Sequence, residues 1–276
     1  MSFPFVDLTL AARLERAEGA AGCRFVEVRG ATDPARGACW QAIDGALAIF
    51  DGAGSPLTQS FALGLEAPAT AATLRDLETF FADRGVAAEH EVSPLAQGDA
   101  LAVLCAAGYE PFELTSVMFR PVAAPLGVVP AADVTVRPAT PGEADAWAEV
   151  AADGWSELPE VVPFVRAIGG VYARMPAARC FLAEIDGRAA AAGVLVVHEG
   201  VALLGGASTR PAWRRRGAQL ALLAARLDAA RQLGCDLAMM SARPGSDSQR
   251  NAERHGFRIA YTRIKWRRRP GGPGAP

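Results

Sequence analysis

Three histidines (His90, His198, His255) stand far apart in a chain of 276 residues. They are too few and too scattered for a histidine-based metal site. The five cysteines (Cys23, Cys39, Cys105, Cys180, Cys235) are odd in number, and none forms a CxxC pair. That pattern argues against a disulfide framework or a zinc site, and buried thiols in a reducing cytoplasm are expected instead. Nor is there an excess of charge of either sign. The net charge of −2 argues against wholesale nucleic-acid binding and leaves the basic residues clustered locally. No apolar stretch reaches bilayer length, so no membrane span is expected. The opening "MSFPFVDLTLAARLERAEGAAG" is interrupted by Asp7, Arg13 and Glu15 and lacks the shape of a signal peptide.

Half of the residues (51%) are hydrophobic, enough for one large domain or two ordinary ones. Internal repetition favours two. "GALAIFDGAGSPLTQSFALGLE" and "AAGVLVVHEGVALLGGAS" both read as strand, glycine turn, strand, with Gly52 matching Gly200. "ATLRDLETFFADRGVAAEHEVSP" and "LALLAARLDAARQLGCDLAMMSARP" both read as helix, glycine stop, strand, pairing Gly85 with Gly234 and Pro94 with Pro244. "LCAAGYEPFELTSVMFRP" matches "AERHGFRIAYTRIKWRR", Gly108 with Gly256. The four offsets are 148, 149, 150 and 148, in order along the chain. Helix–glycine–strand units recur by chance in mixed proteins, but a constant spacing is better explained by duplication. The expected organisation is a first domain over 1–122, a proline-rich linker over 123–132, a second domain over 133–267 and a tail over 268–276.

Within the second half, "VTVRPAT" reads as a strand. "PGEADAWAEVAADGW" and "VPFVRAIGGVYARM" read as helices, the first with Pro141 near its start. Strands follow at "RCFLAEIDG" and "AAAGVLVVHEG". "RRRGAQLALLAARLDAARQLG" is a helix with one apolar face. "CDLAMMSA" has the unbroken apolar character of a strand covered on both faces. "SDSQRNAERHG" is a short helix capped by Ser246 or Asp247 and stopped by Gly256, and "FRIAYTRIKW" is a last strand. The notable stretch is "WRRRGAQLALLAARL". Arg214, Arg215 and Arg216 crowd positive charge at a helix start, where the helix dipole disfavours cations. A loop entering a helix presents free N–H groups converging on one point, so an anion is expected to arrive there.

The order β–α–α–β–β–β–α–β–α–β resembles the GNAT family of N-acetyltransferases. "STRPAWRRRGAQLALLAARL" resembles that family's acetyl-CoA loop, Arg/Gln-x-x-Gly-x-Gly/Ala. Arg214 takes the first place, Gly217 the glycine and Gln219 the last, where Gly or Ala is commoner. "SDSQRNAERHGF" resembles the family's next helix with its Gly-Phe ending. The resemblance is close from about Val134 to Trp266 and holds in outline from Phe5 to Arg120. It implies an α/β fold of two tandem acyl-CoA N-acyltransferase domains, each a mixed sheet flanked by helices.

The resemblance further implies that acetyl-CoA is the co-substrate and that no metal takes part. The groups expected at the cofactor are Ala207, Ser208, Thr209, Arg214, Arg215, Arg216, Gly217, Ala218, Gln219, Leu220, Ser248 and Asn251. A backbone N–H near Ala207 to Thr209 would polarise the thioester carbonyl. In the first half the matching stretch is "LEAPAT", Leu65 to Thr70, with Glu66 and Pro68 and neither glycine nor arginine. A pyrophosphate would meet a carboxylate there, so the first half reads as a degenerate copy without cofactor. The tyrosine that supplies a proton in many relatives is replaced by Ala252, and "LLGGAS" lacks the glutamate that some carry. Tyr261, Glu199 (beside His198) and Ser248 are the remaining candidates for acid or base, with none assigned.

Trp155, Glu157, Glu160 and Phe164 in "DGWSELPEVVPF" could receive a cationic amine or serve as ordinary loop residues. The expected function is acetyl transfer to a small-molecule or peptide amine. The alternative is a non-catalytic coenzyme A-binding sensor or partner-binding module. Neither nucleic acid nor membrane is an expected partner, and a monomer or a homodimer is expected.

Overall fold

The computed structural model describes residues 3–268. In chain order the first half runs α1 (Leu8–Thr32), β1 (Cys39–Ile43), β2 (Ala46–Phe50), β3 (Gln59–Phe61), α2 (Ala71–Ala82), β4 (Glu89–Val92), α3 (Ala100–Ala106) and β5 (Tyr109–Pro121). The second half runs β6 (Val134–Pro138), α4 (Ala144–Asp153), α5 (Val162–Tyr172), β7 (Ala178–Ile185), β8 (Arg188–His198), β9 (Val201–Thr209), α6 (Ala218–Gln232), β10 (Leu237–Ala242), α7 (Asp247–Arg254) and β11 (Arg258–Arg268). From β2 onward the first half repeats the order that the second half follows from β8. It opens with one 25-residue helix where the second half has β6, α4 and α5.

Local chemistry accounts for the element ends. Asp7 caps α1 by accepting the Leu10 N–H at 2.9 Å. Thr140 and Glu143 form a reciprocal capping box ahead of α4, with Pro141 in the first turn. Of the two residues expected to cap α7, Ser246 does so, accepting the Gln249 N–H at 3.2 Å.

The chain divides into two compact units. One holds Arg120–Met240; the other holds the chain up to Phe119 together with the residues from Ser241 on. In the first of these the strands lie in the order β10-β9-β8-β7-β6, with β9 and β10 parallel and the other pairs antiparallel. Ala190 to Val196 of β8 is buried residue after residue, so both faces of the sheet are covered. Helices α4 and α6 both pack on these strands, and α5 packs on α4.

In the other unit the order is β1-β2-β3-β4-β11-β5, again with one parallel pair, β3 and β4. The last strand, β11, is antiparallel to both β4 and β5 and lies between them. Its side chains explain why it stays there. Arg263 is 1% exposed and is met by carboxylates of α1 and β4: Glu15 at 3.1 Å, Glu18 at 3.0 Å and Glu91. The Tyr261 hydroxyl donates to Glu15 at 2.9 Å. The compact division therefore differs from the expected 133–267, since α7 and β11 group with the first half of the chain. Arg267 and Arg268, expected at the edge of a tail, close β11. Residues 269–276 of that tail lie outside the described residues.

Candidate active site

Strands β9 and β10 pair only at their starts, Val201 with Leu237 through Leu203 with Met239. Beyond that β9 runs on to Thr209 without this neighbour, and the parallel pair opens. On its other side β9 carries a bulge against β8. Gly205 faces Val194 and Ser208 faces Ala192, which leaves Gly206 and Ala207 without register partners. Gly206 has φ +55, a conformation open to glycine at little cost. Both Gly206 and Ala207 are exposed. The next two side chains have internal duties. The Ser208 hydroxyl donates to the Ala151 carbonyl at 2.8 Å, and Thr209 Oγ1 accepts from Gln219 Nε2 at 2.8 Å. What β9 offers at the opening is therefore backbone.

Past Thr209 the chain turns through Pro211–Trp213 and Arg214–Gly217 into α6. Arg215 (φ +62) and Gly217 (φ +83) both take left-handed backbone angles. The first backbone bond of the helix joins the Ala221 N–H to the Gly217 carbonyl at 3.1 Å. No side chain caps this end, so the N–H groups of Ala218, Gln219 and Leu220 stay free of intrahelical partners. The three arginines differ. Arg214 is tied to Glu157 at 2.6 Å and to the Gly154 carbonyl at 3.0 Å, which fixes the loop to the end of α4. Arg216 reaches Asp186 at 3.1 Å and Asp133 at 3.2 Å. Arg215 is exposed and makes no ion pair or hydrogen bond among the described residues.

The matching stretch of the first half is closed. Thr70 caps α2, its Oγ1 accepting the Thr73 N–H at 3.1 Å, and Thr73 Oγ1 donates to Asp44 at 2.7 Å. The loop after β4 docks on the stretch after β3. The Gln97 N–H donates to the Gly64 carbonyl at 2.7 Å, and the Ala69 N–H donates to the Gln97 carbonyl at 3.2 Å. A Cβ placed on Gly98 would lie 2.7 Å from the Ala69 carbonyl oxygen, so these backbones are in contact.

Residues 145–257 match the model of the acetyltransferase (GNAT) family. These residues belong to the GNAT family. No curated protein matches the sequence. Among solved structures, a GCN5-related N-acetyltransferase from Kribbella flavida superposes with a TM-score of 0.68 at 20% identity, covering 95% of this chain and 96% of that one. A tandem GNAT protein from the clavulanic acid biosynthesis pathway gives 0.57 at 14% identity, covering 80% and 77%. A GCN5-related N-acetyltransferase from Sphaerobacter thermophilus gives 0.54 at 20% identity, covering 71% and 66%. The fold is thus a tandem GNAT fold, and the GNAT family carries acyltransferase chemistry with an acyl-coenzyme A as co-substrate.

The other residues expected at a GNAT site divide between the two compact units. Tyr261 is 7% exposed inside the unit that holds the first half, with its hydroxyl engaged by Glu15. Burial and the Glu15 carboxylate push its pKa well above the usual tyrosine value. Glu199 sits at the β8–β9 turn. That is eight residues before Ala207, or about 26 Å along an extended strand. Ser248 and Asn251 are exposed on α7, in the compact unit that lacks β9. Ala252 is buried. Trp155, Glu157 and Glu160 are exposed on the α4–α5 connection, where Glu157 is already paired with Arg214; Phe164 is half-buried on α5. The carboxylate pairing of Arg214 and Arg216 escaped the sequence reading, because Glu157, Asp133 and Asp186 are distant in the chain. The Gly205-Gly206 pair was the one available sign of a bulge.

Proposed function

We propose that the second half of this chain transfers an acetyl group from acetyl-CoA to the amine of a small molecule or peptide. The observation that carries this reading is the uncapped start of α6, with the unpaired Arg215 beside it, following directly on the opened strand β9. A pyrophosphate fits this donor set. The N–H groups of Ala218, Gln219 and Leu220 converge on an anion, Gly217 leaves room for its approach, and Arg215 adds a charge-assisted contact. Arg214 and Arg216 hold the loop in shape through Glu157, Asp133 and Asp186.

Acetyl-CoA supplies an activated thioester. The amine nitrogen bonds to the acetyl carbon as the carbon–sulfur bond breaks, and the proton lost by nitrogen leaves through water. The departing coenzyme A thiolate takes up a proton from water to become the free thiol. Backbone N–H groups freed by the β9 bulge polarise the carbonyl oxygen. In this reading Ser208 and Thr209 contribute backbone. The first half works without cofactor, since Thr70 caps its equivalent helix and the loop at Gln97 fills its equivalent opening. Five free cysteines suit a reducing cytoplasm.

A second reading, a coenzyme A-binding module without catalysis, is favoured by Ala252 standing where relatives carry a tyrosine. Incubation with acetyl-CoA and a panel of amines separates the two. Amine-dependent release of free thiol supports the enzyme, and saturable binding with no release under any amine supports the module.

A further inference from the structure

Arg226 of α6 is a buried cation, 3% exposed, that makes no ion pair among the described residues. Burial pushes its pKa down to about 10, which still leaves it charged at neutral pH. All of its recorded bonds go to backbone carbonyls. Nε donates to Leu222 at 3.2 Å, one turn back in its own helix. Nη1 donates to Val194 at 3.3 Å and to Gly205 at 3.2 Å, the two residues that face each other where the β8–β9 bulge begins. The guanidinium lies flat under Gly193, where an added Cβ would come within 3.3 Å of Cζ and Nη1. A buried charge with no counter-charge costs stability, and neutral donors could satisfy the same carbonyls.

Resting on the acetyltransferase reading above, we infer that Arg226 is a positioning residue for the thioester: it fixes and polarises the Gly205–Gly206 peptide that presents the Gly206 N–H to the acetyl carbonyl. The peptide is planar and trans, so a Gly205 carbonyl held toward Arg226 turns the Gly206 N–H the opposite way. Gly206 has no register partner on β8 and is exposed at the bulge, where its N–H can face the thioester. A cation drawing on the carbonyl oxygen also makes the N–H of the same amide a stronger donor. Arg226 touches no reacting atom and acts through the peptide. The lack of a side chain at Gly193 leaves the guanidinium the space it occupies between the two carbonyls.

The test needs no acceptor. The probe is acetyl-CoA labelled with ¹³C at the carbonyl, bound to the full chain and read by infrared difference spectroscopy. In the parent the carbonyl stretch should fall below that of free acetyl-CoA, because a strong donor lengthens the bond. In Arg226→Gln most of that shift should vanish while acetyl-CoA affinity stays within about threefold, since the phosphate cradle is untouched. Arg226→Lys should recover part of the shift. Gly193→Ala keeps the charge but crowds the guanidinium, and should give an intermediate band even where Arg226→Gln fails to fold. Variants that bind acetyl-CoA with the parent's carbonyl band overturn the role of Arg226 alone. A parent that takes up no acetyl-CoA removes the reading beneath it, and this inference with it.

Discussion

Glu15 shows how strongly a single site depends on its surroundings. It is fully buried on α1, between the Tyr261 hydroxyl and the Arg263 guanidinium. Burial lifts its pKa from 4.5 to about 7, with Arg263 pulling the other way. The folded state therefore holds a proton that the unfolded chain has released between those values. Its contribution to stability is intact below about pH 4.5, declines as pH rises toward 7 and is flat beyond. Glu15→Gln keeps the volume and removes the titration. Its stability relative to the parent should climb between pH 5 and 7 by on the order of 2 kcal/mol, measured by urea unfolding at a series of pH values. A difference that stays level across that range would show that Glu15 ionises normally.

At the scale of elements, the two helix starts that follow the parallel strands are built in opposite ways. Thr70 closes α2 with its own side chain, whereas Gly217 leaves α6 open. Thr70→Ala should cost about 1 kcal/mol of stability and leave acetyl-CoA affinity unchanged. Gly217→Ala should cost about 1 kcal/mol through its positive φ, and more through a Cβ 3.1 Å from Ala131 Cβ. It should also weaken acetyl-CoA binding, because the loop shifts. Thermal melts beside calorimetric titration separate the two effects, and the reverse pattern would assign the open site to α2. Most of this was legible in the sequence. The glycine stops, the Pro141 helix start and the Arg214–Gly217 loop stand in local patterns that short-range chemistry controls. The bulge at Gly206 was legible only as a glycine pair, because its place exists relative to the register of β8. The division of labour among the three arginines was not legible, because it depends on carboxylates 30 to 83 residues away.

Across the whole molecule, the described residues include no helix long and apolar enough to cross a membrane. The feature that sequence could not reveal is where α7 and β11 belong. Strand pairing between distant segments is a tertiary matter, and "FRIAYTRIKW" reads alike whichever neighbours it takes. The buried charge of Arg263 decides it, since Glu15, Glu18 and Glu91 all come from the first half. A fragment of residues 1–122 would lack the strand between β4 and β5 and leave those carboxylates without their cation. It should show no cooperative unfolding transition in circular dichroism, and adding a 133–268 fragment should restore one. A cooperative transition in 1–122 alone would show that β11 is dispensable. The central claim, that acetyl-CoA binds once per chain at the start of α6, is met most directly by isothermal titration with acetyl-CoA. The parent, Arg215→Glu and Glu66→Ala should be compared at low and high salt. The account predicts one site per chain and an unchanged Glu66→Ala. It predicts that Arg215→Glu binds roughly tenfold or more weakly, with much of the parent's salt dependence gone. Two sites per chain, or an Arg215→Glu chain that binds like the parent at both salts, would contradict it.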